Sequence, residues 1–272
     1  MDDYAYINAR VRALRSELLG PRVYEELLAL PDLRAVRDDL GHTAYGMGPG
    51  EVPERAPIQV LEEWLRGHWS RAVTKLYGIT DGQPRELLEI LLGRWEVENL
   101  KAILRGKRAD VGIPEILSTV LPAGFFDEAS LAELARQPSI QAIVDLLTTW
   151  RSSYAKPLRI ALRGQRELEG IESLELALDH YDLEDAIRRL KGGDHNASLL
   201  RKLMGLLIDK ANLLTAFKIS SQGVASLSEI PGYFMEGGEH VPIQVYDAVV
   251  RARGLREVVE TIRKTPYGEA VE

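Results

Sequence analysis

The sequence has no cysteine among its 272 residues, which excludes disulfides and thiolate chemistry. Aromatic residues are scarce, at 7%, and no apolar run approaches the roughly 18 to 20 residues that a membrane-spanning helix needs. The formal net charge of −7 contrasts with the basic stripe of a typical nucleic-acid-binding protein, so no nucleic-acid partner is expected. These absences favour a soluble, cytoplasmic protein.

Nucleotide-binding motifs are also missing. The sequence contains no Gly-Lys-Ser/Thr phosphate loop. The glycine-rich stretch at residues 46–53 is a poor substitute, because Pro49 removes an amide donor and no strand precedes the stretch. We therefore expect no directly bound nucleotide and no cofactor.

The candidate ligands and nucleophiles do not form a catalytic pattern. The five histidines are scattered, and the best metal-like pair is His180 and Glu184, four residues apart on a predicted helix. A solvated helix face explains this pair better than a zinc site, because zinc normally takes three or four ligands. We predict no metal site and no catalytic residue, so the chain is interpreted as a non-enzyme.

What the sequence does contain is helical. Hydrophobic residues make up 45% of the chain and charged residues 28%. The apolar residues recur at helical rather than alternating spacing, which predicts an all-α fold. Predicted helices cover residues 4–18, 22–30, 32–40, 57–77, 84–106, 128–136, 138–153, 156–190, 196–219, 242–253 and 255–264.

Three stretches repeat one another, and each has an asparagine within a predicted helix: YINARVRAL around Asn8, ENLKAILR around Asn99 and ANLLTAFK around Asn212. The second and third asparagines are 113 residues apart (99 to 212). Aromatic landmarks recur downstream, at residues 122–126 and 231–235, and Thr-x-Tyr-Gly recurs at residues 43–46 and 265–268. A repeat of this kind determines architecture.

The segment upstream of the asparagine is present only twice, since the chain begins almost at Asn8. The repeats therefore predict one half unit at residues 1–57, followed by full units at 58–157 and 158–272. The predicted structural repeat motif comprises Asn8, Asn99, Leu100, Asn212 and Leu213.

Asparagine has a low helix propensity, so its recurrence inside helices suggests a buried amide that is hydrogen-bonded to a neighbouring helix. The recurring aromatics are interpreted as core side chains.

These motifs resemble the C subunit of the archaeal-type (A/V-type) rotary ATPases and ATP synthases, which is related to the d subunit of the vacuolar enzyme. The resemblance is carried by Tyr4–Arg12, Glu98–Lys107 and Asn212–Lys218, and by the two Thr-x-Tyr-Gly segments. It runs from residue 4 to about 268. Members of that family normally continue beyond the Thr-Pro-Tyr position with another helix pair, which this sequence lacks.

The resemblance implies a pseudo-threefold funnel of helical bundles that acts as a non-catalytic central-stalk (rotor) subunit. Its implied partners are the D and F subunits of the rotor shaft and the membrane proteolipid ring, and its implied location is peripheral, on the cytoplasmic face of the membrane. Two alternatives remain open on the sequence alone: a helical scaffold that binds another protein in its concave face, and an all-helical enzyme whose site assembles from distant residues.

The absent helix pair leads to one more expectation. Apolar positions of the first helix, Tyr6, Val11, Leu14 and Leu18, cannot all be covered by residues 22–45. We therefore expect an apolar seam between the N-terminal half unit and residues 255–272, covered by a partner chain or by a second copy.

Overall fold

The computed structural model describes residues 4–46, 57–164, 170–222 and 230–271. Over these ranges the secondary structure is helical, apart from an isolated antiparallel bridge between Ala123 and Phe126. The predicted all-α class is confirmed. Most of the glycine-rich stretch at 46–53 lies outside the described residues. The chain divides into two compact units, Met1–Arg136 and Gln137–Glu272.

The first unit contains seven helices over its described residues: α1 (Tyr4–Ser16), α2 (Pro21–Leu28), α3 (Leu33–Gly41), α4 (Pro57–Ile79), α5 (Gly82–Arg108), α6 (Ile113–Thr119) and α7 (Glu128–Arg136). Asp32 caps α3, where its carboxylate accepts the backbone N–H groups of Arg34 and Ala35, both at 2.9 Å. Long helix α5 supplies much of this unit's core through the fully buried Leu100, Ile103 and Leu104.

The second unit contains α8 (Ile140–Thr149), α9 (Ala155–Gly164), α10 (Glu172–Arg189), α11 (His195–Gln222), α12 (Ile243–Val250) and α13 (Leu255–Ile262). Short 3₁₀ turns occupy Ile230–Tyr233 and Gly268–Val271. A buried cluster joins α11, α12 and α13 through Ala216, Tyr246, Val249, Val250 and Val258. Long helix α11 is thus the element on which the C-terminal helices of this unit pack.

Two helix predictions were wrong. The single helix predicted over 156–190 is two helices, since α9 ends at Gly164 and α10 begins only after Gly170; glycine is a weak helix former. Residues 165–169 of that prediction lie outside the described residues. Helix α6 is absent from the prediction because Gly112 and Pro114 indicate a break in the helix, whereas a proline in the first turn of a helix is well tolerated. The division at residues 57 and 157 stays a prediction.

Candidate functional site

Asn99 and Asn212 make the same pair of hydrogen bonds in the two units. The side-chain amide of Asn99 donates to the carbonyl oxygen of Leu121 at 2.6 Å and accepts the N–H of Leu121 at 2.7 Å. Asn212 does the same with Met235, at 2.8 and 2.9 Å. Both asparagines are buried, and Asn212 is completely so. One amide therefore satisfies both backbone polar groups of a residue that lies outside the helices.

A buried acidic residue three positions before each asparagine contacts the same downstream segment. Glu96 accepts the N–H of Phe125. Asp209, completely buried, accepts the N–H groups of His240 at 2.8 Å and Val241 at 3.1 Å. We call each acid–asparagine pair, with the segment it holds, a clamp. Glu96 and Asn99 form the clamp of the first unit, and Asp209 and Asn212 form that of the second.

A glycine lies against the carboxylate of each clamp. A Cβ atom built on Gly124 would collide with the carboxylate of Glu96, and one built on Gly238 would collide with that of Asp209. Gly124 also has a φ of +65°, a conformation that other residues rarely adopt. The close approach of backbone to carboxylate is possible because these two positions lack a side chain.

The clamp of the second unit receives one more donor. The hydroxyl of Tyr267 donates to the Asp209 carboxylate at 2.7 Å, so that this buried acid accepts three hydrogen bonds. Burial, and then the hydrogen bond to Asp209, raises the pKa of Tyr267 above its ordinary value of 10.0. The phenol therefore stays protonated and remains a donor throughout the neutral range.

Tyr267 lies in the second Thr-x-Tyr-Gly turn, whose hydrogen bonds match those of the first. The hydroxyl of Thr43 donates to Leu40 O at 2.7 Å and accepts the N–H of Tyr45 at 3.2 Å. Thr265 makes the corresponding bonds to Ile262 and Tyr267 at the same two distances. The repeated sequence therefore specifies a repeated local structure.

The residues of the predicted repeat motif differ in burial among its three copies. Leu100 is fully buried in the first unit, and Leu213 packs, half-buried, against the cluster of the second. Asn8, in contrast, lies exposed on α1, so the expected buried amide is wrong there. The partner of Asn99 and Asn212 is also different from the prediction, since each amide binds the backbone of a connecting segment rather than a neighbouring helix.

The length of the chain after each asparagine explains why Asn8 differs. Helix α3 follows Asn8 by 25 residues (8 to 33), whereas α8 follows Asn99 by 41 (99 to 140) and α13 follows Asn212 by 43 (212 to 255). The first copy therefore lacks the segment that the other two asparagines hold. It also has Ala5 at the position of the clamp acid.

Sequence reasoning missed Glu96 and Asp209. A lone acid on a charged helix is usually solvated, so neither position drew notice. The available signal was their shared spacing, because an acid precedes the asparagine by three residues in both full copies and places the two side chains on one helical face.

The aromatic prediction was right for Phe126, which is fully buried, and wrong for Phe125, which is 65% exposed.

The metal-like pair is placed in the second unit, where His180 Nδ1 lies 3.9 Å from Glu184 Oε1. Its Nε2 is buried without a hydrogen-bond partner among the described residues. Within residues 4–46, 57–164, 170–222 and 230–271, no three His, Asp or Glu side chains are grouped to hold a metal ion. Burial lowers the pKa of His180 below its ordinary value of 6.5, against the opposing effect of Glu184.

Removing a clamp asparagine should destabilise the fold. In Asn99→Leu and Asn212→Leu, the N–H and C=O groups of Leu121 or Met235 lose their partner. We expect each substitution to lower the free energy of unfolding by about 1–3 kcal/mol, with the larger loss at Asn212. Urea unfolding followed by circular dichroism measures this. Asn8→Leu is the matched control and should change stability by less than about 0.5 kcal/mol; equal losses in all three variants would contradict the clamp.

Adding one methyl group at Gly238 should disturb the second clamp. The new Cβ of Gly238→Ala would displace the Asp209 carboxylate from its three donors, so we expect a loss of roughly 1–3 kcal/mol. Gly232→Ala is the control, because no atom lies within 4 Å of the position of its Cβ. Thermal unfolding of both variants provides the test, and a Gly238→Ala protein as stable as Gly232→Ala would refute it.

His180 should make stability depend on pH. Folding lowers the pKa of His180 below 6.5, so on acidification the unfolded state binds the proton at a higher pH than the folded state does. The free energy of unfolding therefore falls as the pH drops below 6.5. Between about pH 7.5 and about pH 5.5, His180→Gln should show a shallower fall in the urea midpoint than the unsubstituted chain. His195→Gln, at an exposed position, is the control and should retain the original slope. Identical slopes in all three proteins would exclude His180 as the source.

None of the helices in the described parts of the chain is long and apolar enough to cross a membrane. The sequence matches the model of the ATP synthase (C/AC39) subunit family over residues 7–272, nearly its whole length.

Individual relatives agree with this match. The chain is 28% identical to the C subunit of the A-type ATP synthase of Methanosarcina mazei over 277 residues, covering 99% of this chain and 72% of the relative. It is 32% identical to the C subunit of the V-type ATP synthase of Thermus thermophilus over 270 residues, covering 98% of this chain and 76% of the relative. The resemblance seen in the motifs is confirmed, and the chain belongs to the ATP synthase (C/AC39) subunit family.

Proposed function

We propose that this chain is a non-catalytic central-stalk (rotor) subunit of an A/V-type ATPase or ATP synthase. In this role it forms a socket between the D–F shaft and the membrane proteolipid ring. It couples ATP hydrolysis or synthesis to proton or sodium transport and sits peripherally on the cytoplasmic face of the membrane. The observation that carries the proposal is the family match along nearly the whole chain.

The clamps support a mechanical role. A subunit that transmits torque must resist deformation, and close-packed interiors transmit strain. In each unit a clamp fixes a connecting segment to the longest helix, at Leu121 on α5 and at Met235 on α11. We further propose that the recurring units are arranged as a pseudo-threefold funnel, with the clamps stiffening its walls.

Helix α11 offers a candidate contact for the shaft. Four large apolar side chains on it are exposed: Leu199, Leu203, Leu214 and Phe217. At about 100° per residue, their spacing places all four on one face of the helix. Exposed apolar surface arranged in this way is typical of a protein–protein contact rather than of free surface. A helix of the shaft is the partner that the proposed socket would receive there.

A binding measurement with purified components tests both the role and the contact. We expect the chain to bind a purified D–F complex from the same organism in biolayer interferometry. Leu214→Asp combined with Phe217→Asp should weaken this binding at least about tenfold, because interface energy is concentrated in buried apolar anchors.

Ile160→Asp provides the matched control, since Ile160 is also an exposed apolar residue and lies on α9 in the same unit. It should bind the D–F complex as the unsubstituted chain does. Failure of the unsubstituted chain to bind either the D–F complex or the proteolipid ring would refute the stalk role. Unchanged binding by the α11 double variant would exclude this face as the contact.

A further inference from the structure

The helix pair α12–α13 is fastened to α11 at both of its ends by one carboxylate. Asp209 of α11 accepts the N–H groups of His240 and Val241, which come just before α12. It also accepts the hydroxyl of Tyr267, which follows α13. The two ends are 26 residues apart in sequence (241 to 267) and meet at a single, completely buried side chain. Asp209 therefore closes the helix pair into a loop, as a disulfide or a metal ion does in other proteins.

The corner between the two helices is held at a second point on α11. The hydroxyl of Ser220 donates to the carbonyl oxygen of Ala252 at 3.0 Å, in the connection between α12 and α13. Ser220 follows Asp209 by 11 residues (209 to 220), which is about 16 Å along a helix. Helix α12 therefore runs along α11 from the level of Asp209 towards that of Ser220, and α13 runs back.

The surface enclosed between the pair and α11 is apolar. Ala216 of α11 belongs to one buried cluster with Tyr246 of α12 and Val258 of α13. Leu213 packs, half-buried, against this cluster, whereas its neighbour Leu214 lies on the exposed stripe of α11. The position of the α12–α13 pair therefore determines how much apolar surface α11 exposes.

The two ends of the pair are held by different kinds of bond. At the first end, two backbone N–H groups bind Asp209, and the segment before them is also bound at Met235 by Asn212. At the second end, the donor is the side-chain hydroxyl of the half-buried Tyr267. The second end is thus the one that is released more easily, and the pair then stays tethered through its first end.

The corresponding tyrosine of the preceding copy has a different partner. Tyr154 follows α8 as Tyr267 follows α13, and its hydroxyl donates to Asp182 on α10 at 3.3 Å. Asp182 lies on a helix that comes later in the chain, whereas Asp209 lies on a helix that precedes the α12–α13 pair. The same residue type therefore ties one turn forward and the other back onto the long helix of its own copy.

We propose that Asp209 and Tyr267 form a lock on a movable helix pair. While their hydrogen bond is made, α12 and α13 stay closed on α11. When it breaks, the two helices leave α11 together as one cooperative unit and expose the apolar cluster around Ala216 and Tyr246. Local opening in proteins typically follows supersecondary elements of this kind. The lock does not depend on the proposed stalk role.

Hydrogen exchange followed by mass spectrometry tests the lock. The substitution Tyr267→Phe keeps the ring and removes only the hydroxyl. We expect the backbone amides of α12 and α13 to exchange at least about tenfold faster in this variant, because a hydrogen bond to a charged acceptor is lost. In low urea, exchange in both helices should accelerate with one common slope, smaller than that of α10, because the pair opens before the rest of the unit unfolds.

Tyr154→Phe is the matched control, because it removes the same hydroxyl within the same unit. It should leave the exchange rates in α12 and α13 unchanged. Asp209→Asn provides a second variant, since it weakens all three bonds to the carboxylate. It should accelerate exchange in the same two helices by at least as much as Tyr267→Phe does.

Three results would overturn the proposal. One is unchanged exchange in α12 and α13 of the Tyr267→Phe variant. Another is faster exchange confined to the turn at residues 265–268, because the turn would then fray without opening the pair. The third is an equal acceleration in α10, because the substitution would then lower the stability of the whole unit and no separate opening unit would exist.

Discussion

The structure depends on how the buried segments that connect its helices obtain hydrogen-bond partners for their backbone N–H and C=O groups. A helix pairs its own N–H and C=O groups, but a connecting segment cannot, and an unpaired buried group costs about 1–3 kcal/mol. At Leu121 and Met235 a single asparagine amide supplies both missing partners. The neutral amide of Asn or Gln suits this requirement, because its donor nitrogen and its acceptor oxygen are separate atoms that can reach the C=O and the N–H of one residue at the same time.

The clamp acid extends the same solution. Glu96 and Asp209 accept backbone N–H groups further along the held segment, and the glycines beside them allow the backbone to come close. A buried carboxylate is tolerable because its donors replace water. Asparagine and acid together therefore fix both the position and the direction of the segment on the helix. The first copy has neither the acid nor the segment, so its asparagine, Asn8, remains at the surface.

The all-α class and most helix positions can be predicted from local sequence, because apolar periodicity and capping are properties of neighbouring residues. The burial of Asn99 and Asn212 was predictable from recurrence alone. The acids were not noticed, because charge at a single position gives no sign of burial, and Asn8 was misjudged because burial depends on a segment far along the chain. The groove between α1 and α4, which Arg15 and Lys75 line, was equally invisible, since it forms only when residues of separate helices are brought together.

Interior and surface are under different physical constraints in a repeated structure. The asparagine bonds of the two clamps match, as do the threonine bonds of the two Thr-x-Tyr-Gly turns, because these hydrogen bonds leave few side chains that fit. The outer faces differ: α11 exposes leucine and phenylalanine along one stripe, whereas the first unit exposes arginine and lysine beside its apolar groove. The proposed stalk role therefore assigns partner recognition to these faces and rigidity to the shared interior.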